Sequence, residues 1–425
     1  MTAFLIIMAV FFFCVLIGVP VAFSIGAAAM AGVFMGDISF AYVAHITWTG
    51  INGFVYIAIA MFVLAGNIMG DGGLSRRIVD FAKSLVGRIH GGLSIVTTIA
   101  CAFFAALSGS SPATAAAIGS MMIPEMKRNG YDPEDGGAVV AASGTLGIMI
   151  PPSTPMIIYS VTAGVSVADM FIGGIVPGIL LALGLCIVGY VRGRIKHYIS
   201  DEPISLKKIA KTFWEGKWSL FAPIVVLGGI YGGFVTVTEA SVLLVVYSII
   251  VSVFIHKKIK LSDLPKLFWM SAKTTSGILL IMSFATAFAR LLTINRIPDM
   301  IGAFVLSVTS NPYIIMLLFA FLIIITGCFI ESIAQILIYT PLFLPILSSM
   351  GIDPVQFGIL IIVGTEIGLL TPPVGVNLFV VQGLSGVKIE KLAVSVLPYM
   401  LSMILVFVLL ILFPQLSIWL PGLAH

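Results

Sequence analysis

Residues 123–152 read IPEMKRNGYDPEDGGAVVAASGTLGIMIPP, and residues 344–373 read LPILSSMGIDPVQFGILIIVGTEIGLLTPP. At a constant offset of 221, Ile123-Pro124 lines up with Leu344-Pro345, Gly130 with Gly351, Asp132-Pro133 with Asp353-Pro354, Gly147 with Gly368 and Pro151-Pro152 with Pro372-Pro373. Pro177 and Pro398 keep the same offset. Glycine admits backbone conformations closed to other residues, and proline fixes φ and removes a donor. Ungapped agreement at these residue types therefore marks an internal duplication.

The duplicated chain is made for a bilayer. Its 425 residues are 60% hydrophobic and 9% charged, with a mean hydropathy of +1.16, whereas about 25% of residues are charged in soluble domains. At roughly 20 apolar residues per ~30 Å crossing, roughly ten to fourteen crossings are expected. The apolar runs lack the alternating period of a β-barrel and are rich in Leu, Ile, Ala, Met and Gly, so the spans are expected to be helices. The expected fold class is an all-α polytopic membrane protein. Cys14, Cys101, Cys186 and Cys328 lie in apolar runs without paired spacing, which suits small buried side chains rather than disulfides or metal ligands. The opening Met1-Thr2-Ala3-Phe4-Leu5 has no basic flank and no small-residue cleavage site, so a first span at the mature start is expected, not a signal peptide.

Charge placement orients the halves. The net charge is +4, no Lys or Arg precedes Arg76, and twelve of the 22 basic residues lie in two stretches, Arg192–Lys217 and Lys257–Lys273. Under the positive-inside rule these are cytoplasmic loops; nucleic acid is not expected as a partner. The opening apolar pair, about 3–18 and 21–36, has no basic flanks, whereas its counterpart, about 219–232 and 237–255, is bracketed by Lys217 and Lys257-Lys258. The two pairs therefore point opposite ways, as in the inverted-topology repeats of secondary transporters, with the N-terminus outside. The first repeat is placed at 1–197 and the second at 218–425, joined by a cytoplasmic linker at 198–217 that carries the turn Asp201-Glu202-Pro203. Gly70–Gly92, with Asp71, Arg76, Arg77, Asp80, Lys83 and Arg88, is too charged to span and too periodic for a loop, so an amphipathic arm in the interface is expected. Trp214, Trp218, Trp269 and Trp419 end apolar runs, where an aromatic belt belongs.

Two kinds of interruption carry the chemistry. Gly92–Pro124 is uncharged, yet Ser108-Gly109-Ser110-Ser111-Pro112 stands in its middle; at the same offset lies Phe329-Ile330-Glu331-Ser332-Ile333-Ala334-Gln335, after Thr326-Gly327. Broken backbone at membrane depth is tolerated only inside protein or beside a polar cavity. Re-entrant hairpins are expected at about 93–124 and 312–345, against the alternative of kinked spans whose small residues allow close packing. The second interruption, Pro151-Pro152 and Pro372-Pro373, stops helices expected over about 136–165 and 355–385. The carbonyls freed around Gly147–Pro152 and Gly368–Val374 are hard donors suited to a partly dehydrated Na+, and facing helix N-termini favour an anion. Ser108, Ser111, Thr145 and Thr371 add hydroxyl oxygens.

Isolated acids are costly in a bilayer. Glu366 aligns with neutral Thr145, and Glu331 falls at the second hairpin opposite Ser110; a coupling or substrate role stands beside a structural, helix-capping one. Glu239 follows Thr236-Val237-Thr238, where capping is favoured. Arg290 and Arg296 suit interfacial snorkelling.

The stretches Ser108-Gly109-Ser110-Ser111-Pro112-Ala113-Thr114, Gly130-Tyr131-Asp132-Pro133, Gly147 to Ser153 and Gly368 to Asn377 resemble the large membrane subunit of tripartite ATP-independent periplasmic (TRAP) transporters, over essentially the whole chain. The resemblance implies an elevator-type, Na+-coupled importer in a bacterial inner membrane. It also implies two partners, a four-helix small membrane subunit, expected as a separate chain, and a periplasmic binding protein that delivers an organic acid. It carries over at least two Na+ and no organic cofactor, with the ions at Ser108, Ser111, Gly147, Ile150 and Pro152, and at Gly327, Gly368, Thr371 and Val374. Candidates for the substrate are Ser110, Thr145, Ser153, Thr154, Glu331, Glu366 and Asn377. Sialic acid and C4-dicarboxylates both suit such a carrier, and a stand-alone carboxylate carrier without a binding protein is the alternative.

Rival classes lack their motifs. No nucleotide-binding G-x-x-x-x-G-K-[ST] occurs for an ATP-driven pump. Gly383-Leu384-Ser385-Gly386 mimics a membrane serine protease, but only the terminal His425 follows it as a base, and the five histidines show no zinc spacing, so an enzyme is not expected. A channel would use similar oxygens but would conduct without substrate.

Overall fold

The structure, a computed structural model, describes residues 2–36, 38–199 and 204–424. The chain opens with helices α1 (Thr2–Leu16), α2 (Val21–Gly36), α3 (Phe40–Thr49) and α4 (Tyr56–Asp71), followed by the arm α5 (Leu74–Leu85). A first hairpin follows, α6 (Gly92–Ser108) and α7 (Ser111–Arg128), then a broken helix, α8 (Pro133–Gly144), α9 (Leu146–Met149) and α10 (Thr154–Ala163), and a long helix α11 (Val167–Ile195). The second half comprises α12 (Leu206–Tyr231), α13 (Val237–Ile249), prolonged to Ile255 by a π-helical turn, α14 (Leu264–Ile294) and the arm α15 (Ile297–Val308). Its hairpin is α16 (Pro312–Gly327) and α17 (Ser332–Ser349), its broken helix α18 (Pro354–Gly368) and α19 (Val376–Ser385), and it ends with α20 (Ile389–Leu412) and α21 (Gln415–Ala424).

Two groups of helices emerge from the packing. α1, α2, α4, α13 and α14 pack on one another, with α12 against the arm α5. The hairpins, broken helices, α11 and α20 form the other group, in which α10 lies on α17 as α19 lies on α7, and α11 lies on α20. Bare apolar side chains such as Ile187, Leu401 and Leu405, each more than 60% exposed, belong to lipid-facing surface, since no soluble surface would carry so many.

Among the described residues five helices are long and apolar enough to cross a membrane, or up to eight if each bent pair is one span. This is fewer than the ten to fourteen crossings expected from length, because much apolar sequence is used in helices that stop at breaks. The linker expected over 198–217 also differs, for α12 already begins at Leu206. Ser205 caps it by accepting from the Lys208 N–H, Phe213 packs on Phe81 of α5 with ring centroids 5.9 Å apart, and Thr212 donates to Ser84 at 2.8 Å. Its lysines ride the outer face of an amphipathic helix. Asp201-Glu202-Pro203 lies outside the described residues. The arm α5 is helical as charge and period suggest, burying Leu74, Ile78, Val79 and Phe81.

At the basic end a polar cluster ties α8, α11 and α20. Arg192 donates to buried Asp135 and to the Ser395 carbonyl, and Tyr198 donates to Asp135 at 3.1 Å. Lys196 reaches Asp132 at 2.9 Å, and this hydrogen bond holds the Asp132 carboxyl below its usual range. A depressed carboxyl stabilises above its ordinary titration range, and its contribution is lost as pH falls through the lowered value.

Glu239 is a cap, as its sequence context suggests. Thr236 Oγ1 accepts from the Glu239 N–H at 3.3 Å and Glu239 accepts from the Thr236 N–H at 2.8 Å. Thr236→Ala should cost about 1 kcal/mol, read as a small drop in the thermal midpoint of the purified protein with transport unchanged.

Candidate functional site

Each hairpin tip is made by its own residues. Gly109, at φ +57°, ends α6 by donating to the Ala105 carbonyl at 3.0 Å, Ser110 is extended, and Pro112 sits in the first turn of α7. This is the glycine stop and proline start that give the sharpest reversal. In the second tip, Phe329 and Ile330 both donate to the Thr326 carbonyl, and Glu331 stands at the cap position of α17 without making a cap bond.

The tips press on the broken helices through glycines. A Cβ built on Gly147 would lie 2.5 Å from the Ser110 carbonyl oxygen and 2.6 Å from Thr114 Oγ1, and one on Gly109 would lie 3.2 Å from the Pro152 oxygen. In the second half a Cβ on Gly368 would meet Gly327 Cα at 2.5 Å, and Val374 donates to the Cys328 carbonyl at 3.3 Å. Both Pro-Pro bonds, Pro151-Pro152 and Pro372-Pro373, are cis. The structure thus brings Ser108, Ser111, Gly147, Ile150 and Pro152 around one tip and break, and Gly327, Gly368, Thr371 and Val374 around the other.

A cavity of about 1140 Å³ meets both tips. Of the candidate residues, Ser108, Ser110, Ser111, Thr154, Glu331 and Glu366 line it. Pro20, Asp71 and Ser75 also line it, the last two beside or within the basic arm α5, so it reaches the end of the fold that carries that arm. Its lining, among the described residues, holds the carboxylates of Asp71, Glu331 and Glu366 and no Lys, Arg or His. An anion in this cavity would have to be met by hydroxyls, helix N-termini and bound cations.

The remaining candidates do not reach the cavity. Thr145 Oγ1 donates to its own helix at Ala142, 2.6 Å away, and Ser153 caps α10 by accepting from Met156. Thr371 Oγ1 likewise donates to Ile367 at 2.9 Å. Asn377 is buried behind the first tip, with its amide nitrogen 2.8 Å from Ser111 Oγ.

The sequence profile of the tripartite ATP-independent periplasmic transporter DctM component matches residues 8–416. The chain belongs to this family. The DctM chains are transporter permeases, and this one is a multi-pass membrane protein. It is 41% identical over 408 residues to an isethionate TRAP transporter permease protein of Oleidesulfovibrio alaskensis, covering 96% of this chain and 64% of that longer one. It is 40% identical over 369 residues to a C4-dicarboxylate TRAP transporter large permease protein of Pseudomonas aeruginosa, covering 87% and 86%. In fold it is similar to the Alcanivorax borkumensis YdaH transporter, with a TM-score of 0.66, 17% identity and coverage of 90% and 88%.

In this DctM chain Asn67, Thr274 and Ser332 line the cavity as well, and sequence motifs alone do not single them out. The signals are there in hindsight. Ser332 lies 221 residues from Ser111, and Asn67 is the sole amide in the apolar run Tyr56–Met69.

Proposed function

We propose that this DctM-family chain carries an organic anion across the bacterial inner membrane by elevator-type alternating access driven by Na+, with its N-terminus on the periplasmic side. The observation that carries the reading is the pair of hairpin tips, each seated on its own Pro-Pro break and both bordering one cavity that, among the described residues, has hydroxyls and carboxylates but no basic side chain. With no basic side chain to meet it, an anion in such a site is best held by hydroxyls and helix N-termini together with bound cations, which suits ion-coupled import. The Na+ would be held by Ser108, Ser111, Gly147, Ile150 and Pro152, and by Gly327, Gly368, Thr371 and Val374, with Ser110 and Thr154 offered to the substrate. A periplasmic binding protein delivers the acid, and a separate small membrane subunit completes the carrier. The relatives' names point to isethionate and C4-dicarboxylates as the acids to try first.

Uptake of labelled organic acids into proteoliposomes holding this chain and its small partner, under an inward Na+ gradient, tests the reading. Uptake should require both Na+ and the binding protein; uptake indifferent to the binding protein would point to a stand-alone carrier, and uptake without Na+ would remove the cation sites. Ser108→Ala and Thr371→Ala each remove one hydroxyl ligand, about 1–1.5 kcal/mol, and should raise the Na+ concentration for half-maximal uptake about fivefold to tenfold. An unchanged Na+ dependence in both would sink the assignment of these side chains.

A further inference from the structure

We propose that Asn67 of α4 selects acids that carry a hydroxyl group in addition to their anionic group. The inference rests on the organic-anion reading above and names the class of acid for the same cavity. Val63, Gly66, Asn67 and Gly70 all line that cavity, and the spacing i, i+3, i+4, i+7 is one face of a helix. Among the described residues Asn67 is the only side-chain amide in the wall. It stands beside the first hairpin tip. A Cβ built on its neighbour Gly66 would lie 3.0 Å from the Leu107 carbonyl oxygen and 3.2 Å from Ser108 Cα. This turn of α4 therefore rests on the tip, and Ser108 and Ser110 share the wall with Asn67.

The amide has one orientation. It lies 2.8 Å from the hydroxyl of buried Ser271 on α14, and that hydroxyl donates its only proton to the Leu267 carbonyl, also at 2.8 Å. A hydroxyl whose proton is already given can only accept, so Nδ2 and not Oδ1 faces Ser271. Oδ1 accepts no hydrogen bond among the described residues and is left to the cavity. A carbonyl oxygen cannot donate. It repels an anionic oxygen and accepts from a hydroxyl. The serine and threonine hydroxyls of the wall can turn to donate to a carboxylate or sulfonate, so they do not tell the two groups apart. Asp71, Glu331 and Glu366 can accept from a substrate hydroxyl, but each opposes the charge of the anion that bears it. Asn67 is the uncharged acceptor of the set. A site that holds a substrate hydroxyl rejects the analogue without it, because its own polar group is then left unpaired.

The test is equilibrium binding of two labelled pairs, malate with succinate and isethionate with ethanesulfonate, to this chain and its small membrane partner in the presence of Na+. The members of each pair differ by one hydroxyl, and the binding protein is left out so that its own selectivity does not enter. The wild type should bind the hydroxylated member about tenfold more tightly, the worth of one good hydrogen bond. Asn67→Leu, which suits an apolar helix, should bring each ratio close to one. Ser271→Ala keeps Asn67 but frees its amide to turn, and should narrow each ratio about threefold. A wild type that does not discriminate within either pair, or that binds none of the four acids, would overturn the proposal. An equal loss of both members in Asn67→Leu would overturn it too, by showing that the amide holds the anionic group. Unchanged ratios in Ser271→Ala would do so even if Asn67→Leu failed to fold. Binding that ignores Na+ would instead overturn the Na+-coupled reading and leave the hydroxyl preference standing.

Discussion

Gly368→Ala should abolish substrate uptake, by about 100-fold or more, while the protein still reaches the membrane. The added methyl would lie 2.5 Å from Gly327 Cα and 2.8 Å from the Gly327 carbonyl carbon. Both obstacles are backbone, so no side chain can swing aside. The second hairpin tip must move from its break by roughly an ångström, and misplacement on that scale costs about 100-fold where several ligands must converge. Gly147→Ala makes the same test in the first half, against the Ser110 carbonyl and Thr114. Gly383→Ala is the control, because nothing lies within 4 Å of its added methyl and alanine suits a helix better than glycine. Wild-type uptake by Gly368→Ala would show that the tip need not touch the break.

Arg192→Met should be the most destabilising single change at the basic end. Asp135 is only 5% exposed, and Arg192 is its charged partner. Removing one member of a buried pair costs about 3–5 kcal/mol, because the other charge remains buried. The thermal midpoint in detergent should fall by several degrees, and less protein should survive purification. The double variant Arg192→Met with Asp135→Leu should recover much of the loss, since neither charge is then stranded. A double variant as unstable as the sum of the two singles would show that the pair is not the unit of stability.

How much of this could be read in the sequence differs from element to element. The hairpin tips and the Pro-Pro breaks were legible because glycine and proline act on the backbone, and because each appears twice at one offset. Their mutual contact follows from the glycines, Gly147 at one break and Gly327 and Gly368 at the other. Hydroxyl side chains were less legible. Thr145 and Thr371 read alike, yet both bond to their own helices, an option open to any buried threonine that sequence cannot rank against a cavity. Lysines misled in α12, where a run of charge read as a loop although Ile209 and Phe213 mark a helical face. The interruption between α3 and α4, at Gly50 to Val55, has no counterpart in the second half, where α14 runs unbroken for 31 residues. Repetition could not announce it. Nor could it announce Asn67, which enters the cavity from a helix with no motif of its own.

The reach of the cavity has an electrical consequence. It runs from the basic end to both hairpin tips, and water filling it would carry the potential of that side deep into the protein. The membrane voltage would then drop across the protein beyond the tips rather than across the whole ~30 Å of hydrocarbon. A monovalent ion moved past the tips would cross the field that remains there, worth about 2.3 kcal/mol for each 100 mV if that is the whole of it. Voltage, and not only the concentration of ions, would then set which way the tips release what they hold.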